Sequence, residues 1–112
     1  MQNDIQTDIP LNVENQGCIS FLDDDDIIEV TCRIDKSGIH PQKAENIPLA
    51  NRLLIEQVKQ YEKLTVQAIK DKSLETARQA LMANPLVGSY SMAGIILDEY
   101  VKAFPEVYAG YR

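Results

Sequence analysis

The sequence reads as an α+β protein: a small antiparallel β-sheet in the N-terminal third, followed by three α-helices. Two observations carry this. Between residues 11 and 34 apolar side chains alternate with polar ones, the two-residue period of half-buried strands. Beyond Pro41–Asn46 the period lengthens to that of a helix; a cap at Ser73 separates the first segment from the second, and Asn84-Pro85 and Phe104-Pro105 end the second and the third.

Residues 1–10 are polar with scattered isoleucine and read as a loose lead-in, leaving 11–112 as a single α+β domain. Leu11-Asn12-Val13-Glu14 alternates as a first strand. Asn15-Gln16-Gly17 has turn chemistry, because Asn and Gly tolerate positive φ. Residues 18–22, Cys-Ile-Ser-Phe-Leu, fit a second short strand, and Asp23 to Asp26 need solvent. The best strand spans 27–34, with Ile28, Val30 and Cys32 on one face and Glu29, Thr31 and Arg33 on the other. Lys36-Ser37-Gly38 closes it, and Ile39-His40 pairs back as a short arm.

The first helix is expected over 47–69, with Asn46 as N-cap and Pro48 in the first turn. Ala50, Leu54, Val58, Tyr61, Thr65 and Ala68 form one stripe, yet other apolar residues widen the apolar arc to roughly 220°. Ile55, Val66 and Ile69 lie on the part of that arc that two shorter helices cannot cover. They are therefore the candidate oligomer or interdomain surface. The second helix is expected over 74–83, capped by Ser73 and ended by Asn84-Pro85. The third is expected over 90–104, capped by Ser89 and stopped by Pro105.

Composition limits the function. The 112 residues carry 17 acidic and 11 basic side chains, a net charge of −6, which argues against nucleic acid or an anionic membrane as partner. No apolar run approaches the ~18 residues of a membrane span, and the N-terminus does not read as an export signal. A cytoplasmic setting with free thiols at Cys18 and Cys32 is the expectation.

No active site assembles from the residues themselves. The four aspartates lack the alternate spacing and the glycine of a calcium loop, and read as a solvated turn. Cys18, Cys32 and His40 match no zinc spacing, and His40, the only histidine, has no nucleophile or orienting acid nominated beside it. Five scattered glycines form no phosphate loop. Asn15 and Gly17 can place a backbone N–H or an amide beside a ligand, although a plain hairpin turn needs the same residues. Catalytic, cofactor-binding and metal-ligating residues are each read as none.

The order of segments resembles the C-terminal region of glycoside hydrolase family 4, which includes 6-phospho-β-glucosidases and 6-phospho-α-glucosidases. The resemblance rests on Asn15-x-Gly17-x-Ile19-x-x-Leu22, Ile28-Glu29-Val30 and Gly38-Ile39-x-Pro41. In the helical half it rests on Tyr61-Glu62-x-Leu64-Thr65-x-x-Ala68 and Ala77-x-x-Ala80-Leu81-x-x-x-Pro85-Leu86-Val87. The chain departs from the family where Leu22-Asp23 replaces a usual Leu-Pro, and where Thr31 replaces a proline after Ile28-Glu29-Val30.

The resemblance implies an enzyme whose N-terminal dinucleotide-binding domain holds NAD and whose divalent metal, usually manganese, sits on a Cys and a His. Such enzymes hydrolyse by transient oxidation at C3 of the sugar, C2 deprotonation, elimination and reversal. Every residue known for those steps lies upstream of the matched region, so none is carried onto Cys18, Cys32 or His40. What is expected is the C-terminal domain of a 6-phospho-β-glucosidase acting on phosphorylated disaccharides. It is inactive alone, completes one wall of the cleft and supplies oligomer contacts. NAD and manganese belong to the parent enzyme, and the partner is its N-terminal domain. The alternative is a free-standing interaction or oligomerisation module descended from that domain.

Overall fold

The structure, a computed structural model, describes residues 6–112. The chain forms two compact units, Met1–Ile47 and Pro48–Arg112, where the sequence suggests one domain. The α+β expectation holds: three strands, then three helices.

The first unit is an antiparallel meander, β1 (Thr7–Glu14), β2 (Ile27–Asp35) and β3 (Gly38–Pro41), in the order β1-β2-β3. β1 begins earlier than expected. Thr7 to Pro10, read as lead-in, pair with Ile34 to Thr31, while residues 1–5 of that lead-in lie outside the described residues. Pro10 is tolerated because β1 is an edge strand, where a missing N–H need not break a ladder. β2 alternates as read: Ile28, Val30 and Cys32 are buried and their neighbours exposed. Burying each large apolar side chain contributes about 1.5–3 kcal/mol.

Residues 18–22 do not form the expected strand. They curl inside a loop over 15–26, because the Asn15 side chain takes up their main-chain groups. The curl places Cys18 and Ile19 over Ile28, Val30 and Cys32 as the core of this unit. Both cysteines are buried and free.

In the second unit α1 spans Leu49–Asp71, α2 Leu74–Ala83 and α3 Tyr90–Ala103. α1 starts two residues late. Ile47 precedes a proline and is biased away from helical backbone, so Pro48, not Asn46, occupies the N-cap, and Asn46 sits at φ 58°. Ser73 and Ser89 cap α2 and α3 as read, accepting from Thr76 N at 3.1 Å and Met92 N at 3.0 Å.

The buried residues of this unit are Ala68, Ala80, Ala93 and Leu97, so its helices touch mainly through small side chains. α1 outruns α2: Gln57 Nε2 donates to the carbonyl of Ala83, the last residue of α2, at 3.0 Å. Leu49, Leu53 and Leu54 lie beyond that point and are more than half exposed. After α3 the chain folds back, and Arg112 brackets the α1–α2 connection. Its N–H donates to Lys72 O at 2.9 Å, and its carbonyl accepts from Leu74 N at 2.7 Å.

Candidate functional site

The Asn15 turn is the most tightly built feature of the sheet unit. Asn15 is fully buried. Its Nδ2 donates to the carbonyls of Ile19 at 2.9 Å, Leu22 at 3.1 Å and Asp23 at 3.0 Å, and its Oδ1 accepts from Ile19 N at 2.7 Å. The amide is thus committed to holding the loop. Gly17 is exposed at φ 83°, a left-handed conformation that favours glycine, and follows Gln16 at φ 46°. Of the pair expected to face a ligand, only Gly17 offers an open backbone.

The sequence reading of Asp23 to Asp26 as a solvated turn is corrected at its last residue. Asp26 is buried, and its Oδ2 accepts from Asp23 N at 3.0 Å, closing the turn before β2. Carboxylate oxygens of Asp23, Asp25 and Asp26 lie within 4.8 Å of one another.

His40, on β3, pairs with Arg33 of β2, and Cys18 and Cys32 are in the core, so the three do not meet as ligands. His40 Nε2 contacts Ser37 Oγ at 2.9 Å and Asp35 Oδ1 at 3.1 Å. One ring nitrogen faces both partners, whereas a nucleophile relay needs Ser and Asp on opposite nitrogens. The cluster ties the β2–β3 turn. Hydrogen bonds from the Ser37 hydroxyl and N–H, then from His40, lower the Asp35 carboxyl from 3.8 to about 2.

A folded-state value below the unfolded one means the carboxylate supports the turn above pH 3.8, and that support disappears as pH falls towards 2. We expect the Ser37 amide signal to collapse toward its random-coil position across that window. In Asp35→Asn the titration should be absent.

In the helical unit Ile55 is half-buried, while Val66 and Ile69 are more than half exposed. Arg78 lies over the Tyr90 ring, 3.5 Å from its centre, and its Nε donates to Tyr90 O at 2.9 Å. The Tyr90 hydroxyl donates to Glu75 at 2.9 Å, which raises the phenol pKa. A Cβ at Gly94 would come within 2.7 Å of the Arg78 guanidinium carbon, so the glycine leaves room for this clasp between α2 and α3.

The sequence reading missed a cavity of about 240 Å³ bounded by the three helices and the tail after α3. Tyr61, Tyr100, Tyr108 and Tyr111 stand around it, over a lining that includes Ala77 and Ala80. The available signal was the density of tyrosine near the C-terminus, three in the last 13 residues.

The profile of the family 4 glycosyl hydrolase C-terminal domain matches residues 1–87. The chain belongs to glycosyl hydrolase family 4. Among family members it is 36% identical over 102 residues to a probable 6-phospho-beta-glucosidase of Bacillus subtilis (strain 168), covering 91% of this chain and 22% of that protein. It is 37% identical over 93 residues to a maltose-6'-phosphate glucosidase of the same organism, covering 83% of this chain and 21% of that one.

Among solved structures it resembles a 6-phospho-alpha-glucosidase from gut microorganisms in complex with NAD and glucose-6-phosphate. That likeness has a TM-score of 0.81 and 30% identity, over 94% of this chain and 24% of the other. The 6-phospho-beta glucosidase of Thermotoga maritima, with manganese, NAD+ and glucose-6-phosphate, gives 0.78 and 28%, over 95% and 27%. This family 4 chain spans about a fifth to a quarter of the length of these relatives.

NAD does not fit the described residues of this family 4 chain, and a metal site built on Cys and His does not form among them. The thiols are interior and the imidazole is held at a turn, so no Cys and His come together as ligands; the carboxylates of Asp23, Asp25 and Asp26, two exposed and one buried, are a cluster of oxygen donors, the type manganese favours. None of the described strands leads through a glycine-rich turn into a helix, as a dinucleotide site requires.

Proposed function

We propose that this chain is the C-terminal domain of a cytoplasmic 6-phosphoglucosidase, with 6-phospho-β-glucosides, such as phosphorylated disaccharides, as substrates of the whole enzyme. The observation that carries this reading is the fold match over nearly the whole chain to about a quarter of an enzyme holding NAD and glucose-6-phosphate. The β preference is supported by the coverage of the match to a probable 6-phospho-beta-glucosidase, 36% identity over 91% of this chain against 37% over 83% for the maltose-6'-phosphate glucosidase. In this reading NAD and the metal sit on the N-terminal domain, which is this chain's partner. The domain's own work is to close one wall of the cleft, with the Asn15–Gly17 turn as the candidate edge. Val66, Ile69 and part of Ile55 supply interdomain or oligomer contacts.

The purified 112-residue chain, given NAD+, Mn2+ and a 6-phospho-β-glucoside, is expected to release no aglycone. Adding the N-terminal domain of a homologous enzyme in trans should restore release. Turnover by the chain alone would overturn the reading. The second reading, a free-standing oligomerisation module, is favoured by the exposed Leu49, Leu53 and Leu54. It predicts a stable oligomer by light scattering and no rescue in trans.

A further inference from the structure

We propose that Pro10 closes the open edge of β1, so that the β1 strand of a second copy cannot extend the sheet, and that Pro41 repeats the device on β3. Among the described residues the sheet has two unpaired edges, β1 and β3. β1 is eight residues long, and Ile9, Leu11 and Val13 alternate in it with Asp8, Asn12 and Glu14. A long edge strand with this pattern is a template for pairing with another chain unless something blocks it.

The register fixes which main-chain groups face outward. Along an antiparallel strand, successive residues turn their N–H and C=O alternately to one neighbour and to the other. Gln42 N donates to Thr31 O at 2.9 Å, so the main chain of Thr31 faces the β3 side. Its partner on β1 is Pro10, which therefore turns its nitrogen and carbonyl away from the sheet. Asn15 N donates to Asp26 O at 2.7 Å and sets the same phase: Ile9, Leu11 and Val13 face β2, while Asp8, Pro10, Asn12 and Glu14 face out. On β3, Gly38 and His40 pair with Asp35 and Arg33, which leaves Ile39 and Pro41 facing out.

Two of the chain's five prolines thus lie in strands, and each stands at an outward position of an open edge, with a ring in place of the N–H. Both are exposed, so core packing does not account for them. Charge adds a second barrier on β1. In a two-fold pair of β1 strands centred on Leu11, each Pro10 would meet Asn12 of the other copy, and Asp8 would meet Glu14. The blocked donor then counts twice, and like charges directly opposite destabilise the pair.

The test uses the full chain, made by joining a synthetic thioester of residues 1–17 to a chain beginning at Cys18, since Gly17-Cys18 is a native thiol junction. Nitrogen-15 labels in the synthetic part report single amides. In the unaltered chain the amides of Asp8, Asn12 and Glu14 should exchange freely with solvent up to ~1 mM protein, while those of Ile9, Leu11 and Val13 are protected. Pro10→Ala, with Pro41 intact, restores the donor on β1 alone. It should bring concentration-dependent protection of Asp8, Asn12 and Glu14, with self-association at least ~10-fold tighter than in the unaltered chain. N-methylalanine at position 10 has the same side chain as alanine without an N–H, and should leave the edge unpaired. Fibres from Pro10→Ala alone would support the inference equally. It is overturned by protected Asp8, Asn12 and Glu14 amides in the unaltered chain, a measurement that needs no variant to fold. It is also overturned if Pro10→Ala stays soluble and unpaired up to ~1 mM, or if the N-methylalanine chain pairs as tightly as Pro10→Ala.

Discussion

Asn15→Asp is expected to unfold the sheet unit at neutral pH. The substitution keeps the volume but replaces the amide N–H donors by a carboxylate oxygen facing the carbonyls of Ile19, Leu22 and Asp23. Each buried polar group left without a partner costs about 1–3 kcal/mol, so the sum reaches ~4 kcal/mol or more, a large part of a domain's total stability. A proton–nitrogen correlation spectrum should show the signals of residues 7–41 collapse while those of the helical unit stay dispersed. The new carboxyl is raised in the fold by its burial among oxygens. It therefore supports folding only while protonated, and stability should recover as pH falls toward 4. Asn15→Asp with an unchanged spectrum at pH 7 would refute the structural role.

Ala93→Leu should be the most damaging single change in the helical unit among its alanines. Ala93 is fully buried and, unlike Ala80, does not line the cavity, so the added carbons have no space to enter. Overpacking costs about 1–3 kcal/mol, and this unit buries one large side chain, Leu97, among its described core residues. Thermal unfolding followed at 222 nm should begin at least ~5 °C lower. Ala80→Leu should cost markedly less, because the cavity beside Ala80 receives the new side chain. Equal losses at the two positions would remove the packing argument.

The strands and helices were legible where side-chain period and capping agree. β2 shows its inward face in Ile28, Val30 and Cys32, and Ser73 and Ser89 announce α2 and α3. The errors fall where one side chain overrides local preference. Residues 18–22 have strand composition, yet a single buried amide pulls their carbonyls inward, a long-range arrangement that periodicity does not encode. Asn46 has cap chemistry, but Pro48 controls the backbone before it. The tyrosine cavity was invisible because Tyr61 and Tyr111 are 50 positions apart, and it exists only when the tail folds back over the helices. The family was legible because it lies in the order of many short segments and not in any one residue.

The two halves of the chain carry different natural reporters. Both cysteines lie in the core of the sheet unit, and all five tyrosines belong to the helical unit, with no tryptophan to mask them. Modification of the Cys32 thiol by a colorimetric reagent under native conditions therefore clocks opening of the sheet alone, since Cys32 has no exposed surface to react without it. Ultraviolet emission of the phenols follows the helices alone. One unlabelled sample can thus reveal whether the two units open together or separately.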